Sequence, residues 1–404
     1  MAETKSPLLN VDEALARLLQ DVAPLASESV PLGAAHGRVL AGSIAARLTQ
    51  PPFDASAMDG YAVRAADAAT VPAKLAIVGE SAAGRGFSGS VGEGQAVRIF
   101  TGAPLPAGAD AVVIQEDTSR DGAIVTIAKA TLPGENIRTR GKDFSSGQPL
   151  FPAGHRLTAR DLMLAASSGH GTLPVHRRPR VAILATGDEL VPPGATPGPD
   201  QIVSSIPIGL ASMIVSAGGE AIPLGIACDT LPDLDAKIAA AAGADILVTI
   251  GGASVGDHDL VQKALTARGL DLAFWRIAMR RGKPLMYGKL GGQRVLGLPG
   301  NPVSATLCAQ IFLLPLIRAL QGMEPRVATT SGVLASPLAA NGPRQHYIRA
   351  RVVTPGSPPA VEPLPSQDSS LLATLARADC LIVQPANAPN QATGEAVQLL
   401  PLEG

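Results

Sequence analysis

From residue 181 to residue 320, short apolar runs alternate with segments of helical periodicity. No other feature of the sequence restricts the fold as much. Residues 181–186, 221–226, 245–250 and 272–279 read as strands, and residues 204–217, 231–242 and 257–268 as the helices between them. Parallel neighbours need a crossover, so this order implies a mostly parallel sheet with helices on both faces. Residues 285–289 and 294–298 form a hairpin-like pair. A last helix starts at Asn301, carries Pro302 at its first position and runs to about Leu320. Ligands of such sheets gather at the carboxyl ends of the strands, so chemistry is expected along that edge.

The flanks follow other rules. Residues 10–22 place Val11, Leu15, Leu18, Leu19 and Val22 at steps of three and four, an amphipathic helix with Asn10 as its cap and Glu13 three residues on. Residues 74–78, 96–100, 111–116 and 123–128 read as short strands between Gly- and Pro-bearing turns, a small β-rich unit closing near Phe144. Residues 158–169 read as a capped helix ending at a glycine, and 176–180 as a solvated basic linker. The tail returns to strands at 331–334, 345–353, 380–384 and 396–400, which suit a small barrel or sandwich. This punctuation accounts for much of the 43 glycines and 35 prolines among 404 residues.

Charge and cysteines exclude several classes. With 33 Lys and Arg against 34 Asp and Glu, no general basic footprint for nucleic acid exists. The three cysteines, Cys228, Cys308 and Cys380, fit neither a disulfide framework nor a metal-finger spacing, and read as thiols of a reducing cytoplasm. Residues 1–10 lack the basic start and apolar core of a secretory signal. The unbroken apolar run 311–317 is too short to span a bilayer.

Four turns carry candidate chemistry. In the first, the strand 245–250 runs into Gly251, Gly252, Ser254, Asp257 and Asp259. Glycine amides and a helix N-terminus suit an anion, and the two acids suit a cation between them and a phosphate. An ordinary strand–helix turn with capping acids explains the same residues. In the second, Gly187, Asp188 and Glu189 follow the strand 181–186, and Asp229 follows the strand 221–226. A parallel sheet brings these carboxylates to one edge, for a metal or a general base. The third is Arg276-Ile-Ala-Met-Arg280, with Lys283 beyond. On a continuous strand Arg276 and Arg280 share a face and can clamp an oxyanion. The fourth is Gly297-Leu-Pro299-Gly-Asn301-Pro302, sound helix-start chemistry whether or not anything binds. The stretch 51–63, with Asp54 and Asp59, reads by composition only as a loop.

Together these residues resemble the molybdopterin molybdenumtransferase family, the MoeA type related to the gephyrin E domain. The matching motifs, in the family order, are residues 53–63, 98–103, 134–138 with 141–143, 186–190, 251–257, 282–284 and 297–302. The resemblance implies a multi-domain α/β fold. Its central α/β domain, 179–326, would be molybdopterin-binding and MogA/MoaB-like, with a mostly parallel sheet. A β-rich domain, 46–143, would be inserted in a discontinuous helical N-terminal domain, 1–45 plus 144–178. A small C-terminal β-barrel would occupy 327–404.

The implied reaction inserts molybdenum from molybdate into adenylylated molybdopterin and releases AMP, with Mg²⁺ as cofactor. The pyrophosphate would meet the Gly251 and Gly252 amides and the Arg276/Arg280 pair. Asp229, Asp257 and Asp259 would hold the cation, and Glu189 would orient molybdate or water. Asp59, Thr101 and Asp143 match functional positions and would complete the partner's crevice in an elongated homodimer. Ser254, Lys283, Pro299, Asn301, Arg349 and Ser369 are carried over as substrate contacts. Other cofactor-synthesis proteins and recipient molybdoenzymes are further implied partners, with no nucleic acid and no membrane, in the cytoplasm. The chain departs from the family pattern at 276 and 280, where lysine is common, and at Gln262 and Ala55, where lysine and asparagine are common. Two other readings stay open: molybdopterin adenylylation by ATP, and a non-catalytic scaffold of the same fold.

Overall fold

The computed structural model describes residues 8–251, 260–280, 282 and 284–402. The expected site residues Gly252, Ser254, Asp257, Asp259 and Lys283 lie outside them.

The first helix, α1 (Val11–Leu19), begins where Asn10 Oδ1 accepts the Glu13 N–H at 2.8 Å. Strand β1 (Ser27–Pro31) pairs antiparallel with Thr172–His176, a strand from beyond the inserted segment. Ala35, Leu40, Ile44, Leu157, Ala165, Leu173 and Val175 close one core, so the segments on either side of the insertion pack as one body. Helix α1 does not join it. Val11, Ala14 and Leu18 pack into the core of the α/β layer, and Tyr287 Oη donates to Leu18 O at 3.0 Å.

The inserted segment contains β2 (Ala55–Ser56), β3 (Gly60–Val63), β4 (Ala73–Ser81), β5 (Gln95–Ile99), β6 (Ala111–Ile114), β7 (Thr118–Asp121), β8 (Ile124–Ile127) and β9 (Ile137–Arg138). Six of them form one sheet in the order β6-β3-β5-β4-β8-β7. Strand β3 corrects the loop expected at 51–63. Four residues are too few to show periodicity, yet β3 is wholly buried and pairs on both sides. The short pair β2–β9 ties the loops at 50–56 and 137–143 together.

Helix α2 (Ala159–Ser167) has the full capping box between Thr158 and Asp161. Strand β10 (Thr172–His176) then leads into the junction expected as a solvated linker. Instead, Arg177 grips the Asp245 carboxylate with two hydrogen bonds of 2.8 and 2.6 Å. Asp245 Oδ2 also accepts the Arg180 N–H at 2.8 Å. The joint is thereby fastened to the α/β layer.

That layer runs β11 (Arg180–Thr186), α3 (Ile206–Ser216), β12 (Glu220–Ala227), α4 (Leu231–Ala240), β13 (Ile246–Ile250), α5 (Leu260–Ala267), β14 (Asp271–Trp275), β15 (Met279–Arg280), β16 (Met286–Leu290), β17 (Gln293–Leu298) and α6 (Pro302–Leu320). The sheet order is β12-β11-β13-β17-β16-β14, parallel from β12 to β17, with β16 antiparallel to both its neighbours. Strand β14 therefore points the same way as β17. Alternate residues feed the two faces: Val181 and Ile183 face α1, α3 and α6, whereas Ala182 and Leu184 face α4 and α5. Helix α6 is long and apolar enough to cross a membrane, but it is largely buried in this core. It widens to a π-turn at Ala309–Leu313 just before Pro315, whose ring cannot continue the α-helical hydrogen bonding.

The expected strand 272–279 is broken. Strand β14 stops at Trp275, and Arg276 takes φ +90°. Met279 and Arg280 leave the sheet to pair with Gln345 and His346. The tail strands β18 (Thr330–Leu334), β19 (Gln345–Thr354), β20 (Ala360–Pro363), β21 (Cys380–Gln384) and β22 (Ala396–Pro401) close a barrel in the order β19-β20-β18-β22-β21-β19. Strand β20 has no counterpart in the sequence expectation.

Candidate active site

Three strand ends of the parallel part converge. After β11, Gly187 takes φ +144°, and a side chain there would meet the Glu189 carboxylate, which folds back over it. After β13, Gly251 takes φ +87°, and a Cβ there would lie 2.9 Å from Thr186 O. Only glycine combines that backbone with that approach. After β17, a Cβ on Gly300 would stand 3.7 Å from Gly251 Cα. The turns frame a cavity of about 280 Å³ whose polar lining includes Thr186, Glu189, Ser204, Ser205, Asn301 and Ser370.

The first residues of α3 and α6 also line this cavity, so two helix N-termini face it. Asn301 sits at the N-cap of α6 but makes no capping hydrogen bond, which leaves its amide available to a ligand. The dipoles of the two helices favour an anion there.

The barrel reaches into the same place. Arg349 is 1% exposed, and its guanidinium donates to the carbonyls of Ser366, Asp368 and Leu371 at 3.2, 2.9 and 3.2 Å. These bonds hold the turn on which Ser369 O accepts the Val303 N–H at 3.2 Å and Ser370 lines the cavity. The expected substrate contact Arg349 is thus spent on positioning its own loop. Pro299 is buried beneath its turn and shapes the edge rather than lining the cavity.

One strand over, at the end of β12, the Asp229 N–H donates to Asp188 Oδ1 at 3.0 Å. Both carboxylates are exposed, and among the described residues neither enters an ion pair. No group of three or more His, Cys, Asp or Glu capable of holding a metal occurs among the described residues.

The arginine pair expected to share one strand face is split. Arg276 follows β14, three strand positions from Gly251, which is about 14 Å at ~4.8 Å per strand. Its guanidinium lies over the Trp275 ring at 5.1 Å, and its Nε is buried without a hydrogen-bond partner among the described residues. Arg280 is exposed, on the barrel-bound segment.

A second group lies on the inserted sheet. Asp59 Oδ1 accepts both the N–H and the hydroxyl of Thr101, each at 2.7 Å. These two bonds, with the positive charge of Arg98, hold the Asp59 carboxyl below its usual range. Arg98 is itself fixed over the Tyr61 and Phe100 rings at 5.2 and 4.8 Å. Asp143 lines a cavity of about 510 Å³ with Arg138 and Lys142, and Gly102, next to Thr101, forms part of its wall. This cavity shares no lining residue with the one at the parallel sheet edge. Asp59 and Thr101 thus belong to the inserted sheet and Asp143 to the loop beside it, whereas Glu189, Asn301 and Asp229 stand at the ends of the parallel strands. The sequence reading missed Ser204, Ser205, Ser370, Arg138 and Lys142. Ser204 and Ser205 were read as the first residues of the helix 204–217, which starts instead at Ile206, and Ser370 depends on the barrel docking.

Comparison with known proteins decides the family. Residues 9–169 match the MoeA N-terminal region (domain I and II), 182–319 the probable molybdopterin binding domain and 331–402 the MoeA C-terminal region (domain IV). A molybdopterin molybdenumtransferase of Haemophilus influenzae is 34% identical, with 98% of each chain covered. The chain belongs to the molybdopterin molybdenumtransferase family. Another relative of that name, from a Nostoc strain, is 40% identical over 74% of this chain and 70% of its own. The crystal structure of a molybdopterin biosynthesis MoeA protein from Pyrococcus horikoshii superposes with a TM-score of 0.85 at 30% identity, covering 98% of this chain and all of the other. The multi-domain fold with a central α/β layer and a closed C-terminal barrel is the fold of this family.

Proposed function

We propose that this molybdenumtransferase-family enzyme takes adenylylated molybdopterin and molybdate, leaves molybdenum on the pterin dithiolene and releases AMP. The observation that carries this reading is the cavity at the carboxyl edge of β11, β13 and β17. There an anionic ligand meets glycine turns and two helix N-termini, with one carboxylate, Glu189, at the wall. Glu189 orients molybdate or water at the reacting phosphate, Asn301 and Ser370 hydrogen-bond the substrate, and Arg276 meets its far end.

Magnesium fits the residues present. Mg²⁺ is usually held by one or two carboxylates together with substrate phosphates and water. Asp188, whose carboxylate accepts the Asp229 N–H, and Asp229 would supply those carboxylates, with Asp257 and Asp259 as further donors outside the described residues. When bound, the ion neutralises phosphate charge. In a homodimer, Asp59, Thr101 and Asp143 of one protomer would complete the crevice of the other, which suits their separation within one chain. Cytoplasmic residence accords with the reduced, buried Cys308 and Cys380.

The test supplies adenylylated molybdopterin, Mg²⁺ and molybdate and follows AMP. Molybdate-dependent release is expected. ATP consumption with free molybdopterin and no such release would instead assign the preceding adenylylation step.

A further inference from the structure

We propose that Leu9 and Gln345 are positioning residues for the transferase reaction: they grip the Ala278 peptide from two sides and so hold Arg276 in the backbone conformation that presents it to the substrate. This rests on the transferase reading, in which Arg276 meets the far end of the substrate. Arg276 takes φ +90°, a region that residues with a side chain occupy only where their surroundings impose it.

Those surroundings come from three parts of the chain. The Arg276 N–H donates to Leu285 O at 3.0 Å, and beyond it the main chain turns to other partners. Ile277 forms a single parallel bridge with Leu9, and the Ala278 N–H donates to Leu9 O at 2.6 Å. From the other side the Gln345 N–H donates to Ala278 O at 3.0 Å, where β15 meets β19. Both arms are anchored. Leu9 immediately precedes Asn10, the N-cap of α1, and Val11, Ala14 and Leu18 fix that helix in the core of the α/β layer. Gln345 opens β19, which pairs with β20 and β21 in the closed barrel. Ile277 and Met279, fully buried in the same core as α1, pin the segment between the two arms. With the Ala278 N–H and C=O both bonded, the backbone on the carboxyl side of Arg276 has no freedom to relax. The buried Arg276 Nε, which has no hydrogen-bond partner among the described residues, is left for an acceptor on the ligand. Neither Leu9 nor Gln345 lines the cavity at the parallel sheet edge, so each acts through Arg276.

The experiment uses the full-length enzyme with one amide replaced by an ester, made by incorporating the α-hydroxy acid at position 278. This removes the N–H that donates to Leu9 O and leaves every side chain in place. Affinity for adenylylated molybdopterin, measured by calorimetry without molybdate, should fall about 3–10-fold, as expected for the loss of one main-chain hydrogen bond. An ester at position 345 should weaken binding in the same sense. During turnover KM should rise while kcat stays within about twofold of wild type. In the Arg276→Ala background neither ester should change the affinity by more than about twofold, because the effect passes through Arg276. The free wild-type enzyme gives a check that needs no variant: its Ala278 amide should exchange slowly with solvent. The proposal is overturned if the 278 ester binds as wild type does, if its loss of affinity persists in Arg276→Ala, or if the Ala278 amide exchanges as fast as an open chain. Absent molybdate-dependent AMP release would count against the transferase reading alone, since affinity is scored without turnover.

Discussion

Two neighbours hold the Asp59 carboxyl below the usual aspartate range. Thr101 donates twice to the same oxygen, and Arg98 adds its field, so the carboxyl titrates below the ordinary aspartate value. A lowered folded value means that its contribution to stability is complete above ~4 and is lost as pH falls through the lower folded value. Thr101→Val removes one of the two donors and should move the Asp59 titration upward, towards ~3.9. Carboxyl-carbon NMR of wild type and variant checks this, and an unmoved titration would leave the backbone N–H at position 101 and Arg98 as the causes. Arg349 is a different case. Its guanidinium serves three carbonyls, so Arg349→Lys should cost about 1.5–3 kcal/mol in urea unfolding, as expected for hydrogen bonds to a charged group. The place of Glu189 and Gly251 at strand ends was legible because each follows an apolar run that ends in glycine. The role of Arg349 was not, since nothing local shows that a strand residue points into a barrel and holds a loop twenty positions away.

Among the elements, those with caps were readable and those shorter than one period were not. Asn10, Thr158 and Pro302 each stand where a helix starts. The sequence pattern also exposed both faces of the parallel sheet, because β11 and β13 are apolar apart from Arg180, Thr186 and Thr249. Strand β3 escaped notice as four residues behind an Asp-Gly turn, and β14 was drawn too long because Arg276 does not announce its positive φ. Helix α1 was readable as amphipathic, but not which layer it covers. Leu18 is fully buried against the α/β core, so Leu18→Ala should cost about 2–5 kcal/mol in chemical denaturation. The Arg177–Asp245 joint gives a second expectation: Asp245→Asn should loosen the junction, seen as faster amide exchange near residues 177–180 and 245 with α2 unaffected.

At the scale of the molecule, the two groups of functional residues sit on different sheets, and the homodimer is the proposed means of joining them. Glu189→Gln and Asp59→Asn protomers, each inactive alone, should then recover activity when mixed, because one crevice of the hybrid carries neither change. Separate activity in each variant, or no recovery on mixing, would place a complete site within one chain. The central claim is that the glycine-lined edge with Glu189 inserts molybdenum, and the rate of AMP release from adenylylated molybdopterin tests it most directly. Wild type should release AMP faster with molybdate than without, and Glu189→Gln should lower the stimulated rate by ~10²-fold or more, the usual contribution of a positioned acid or base. Equal stimulated rates in the two proteins, or release indifferent to molybdate, would contradict the account.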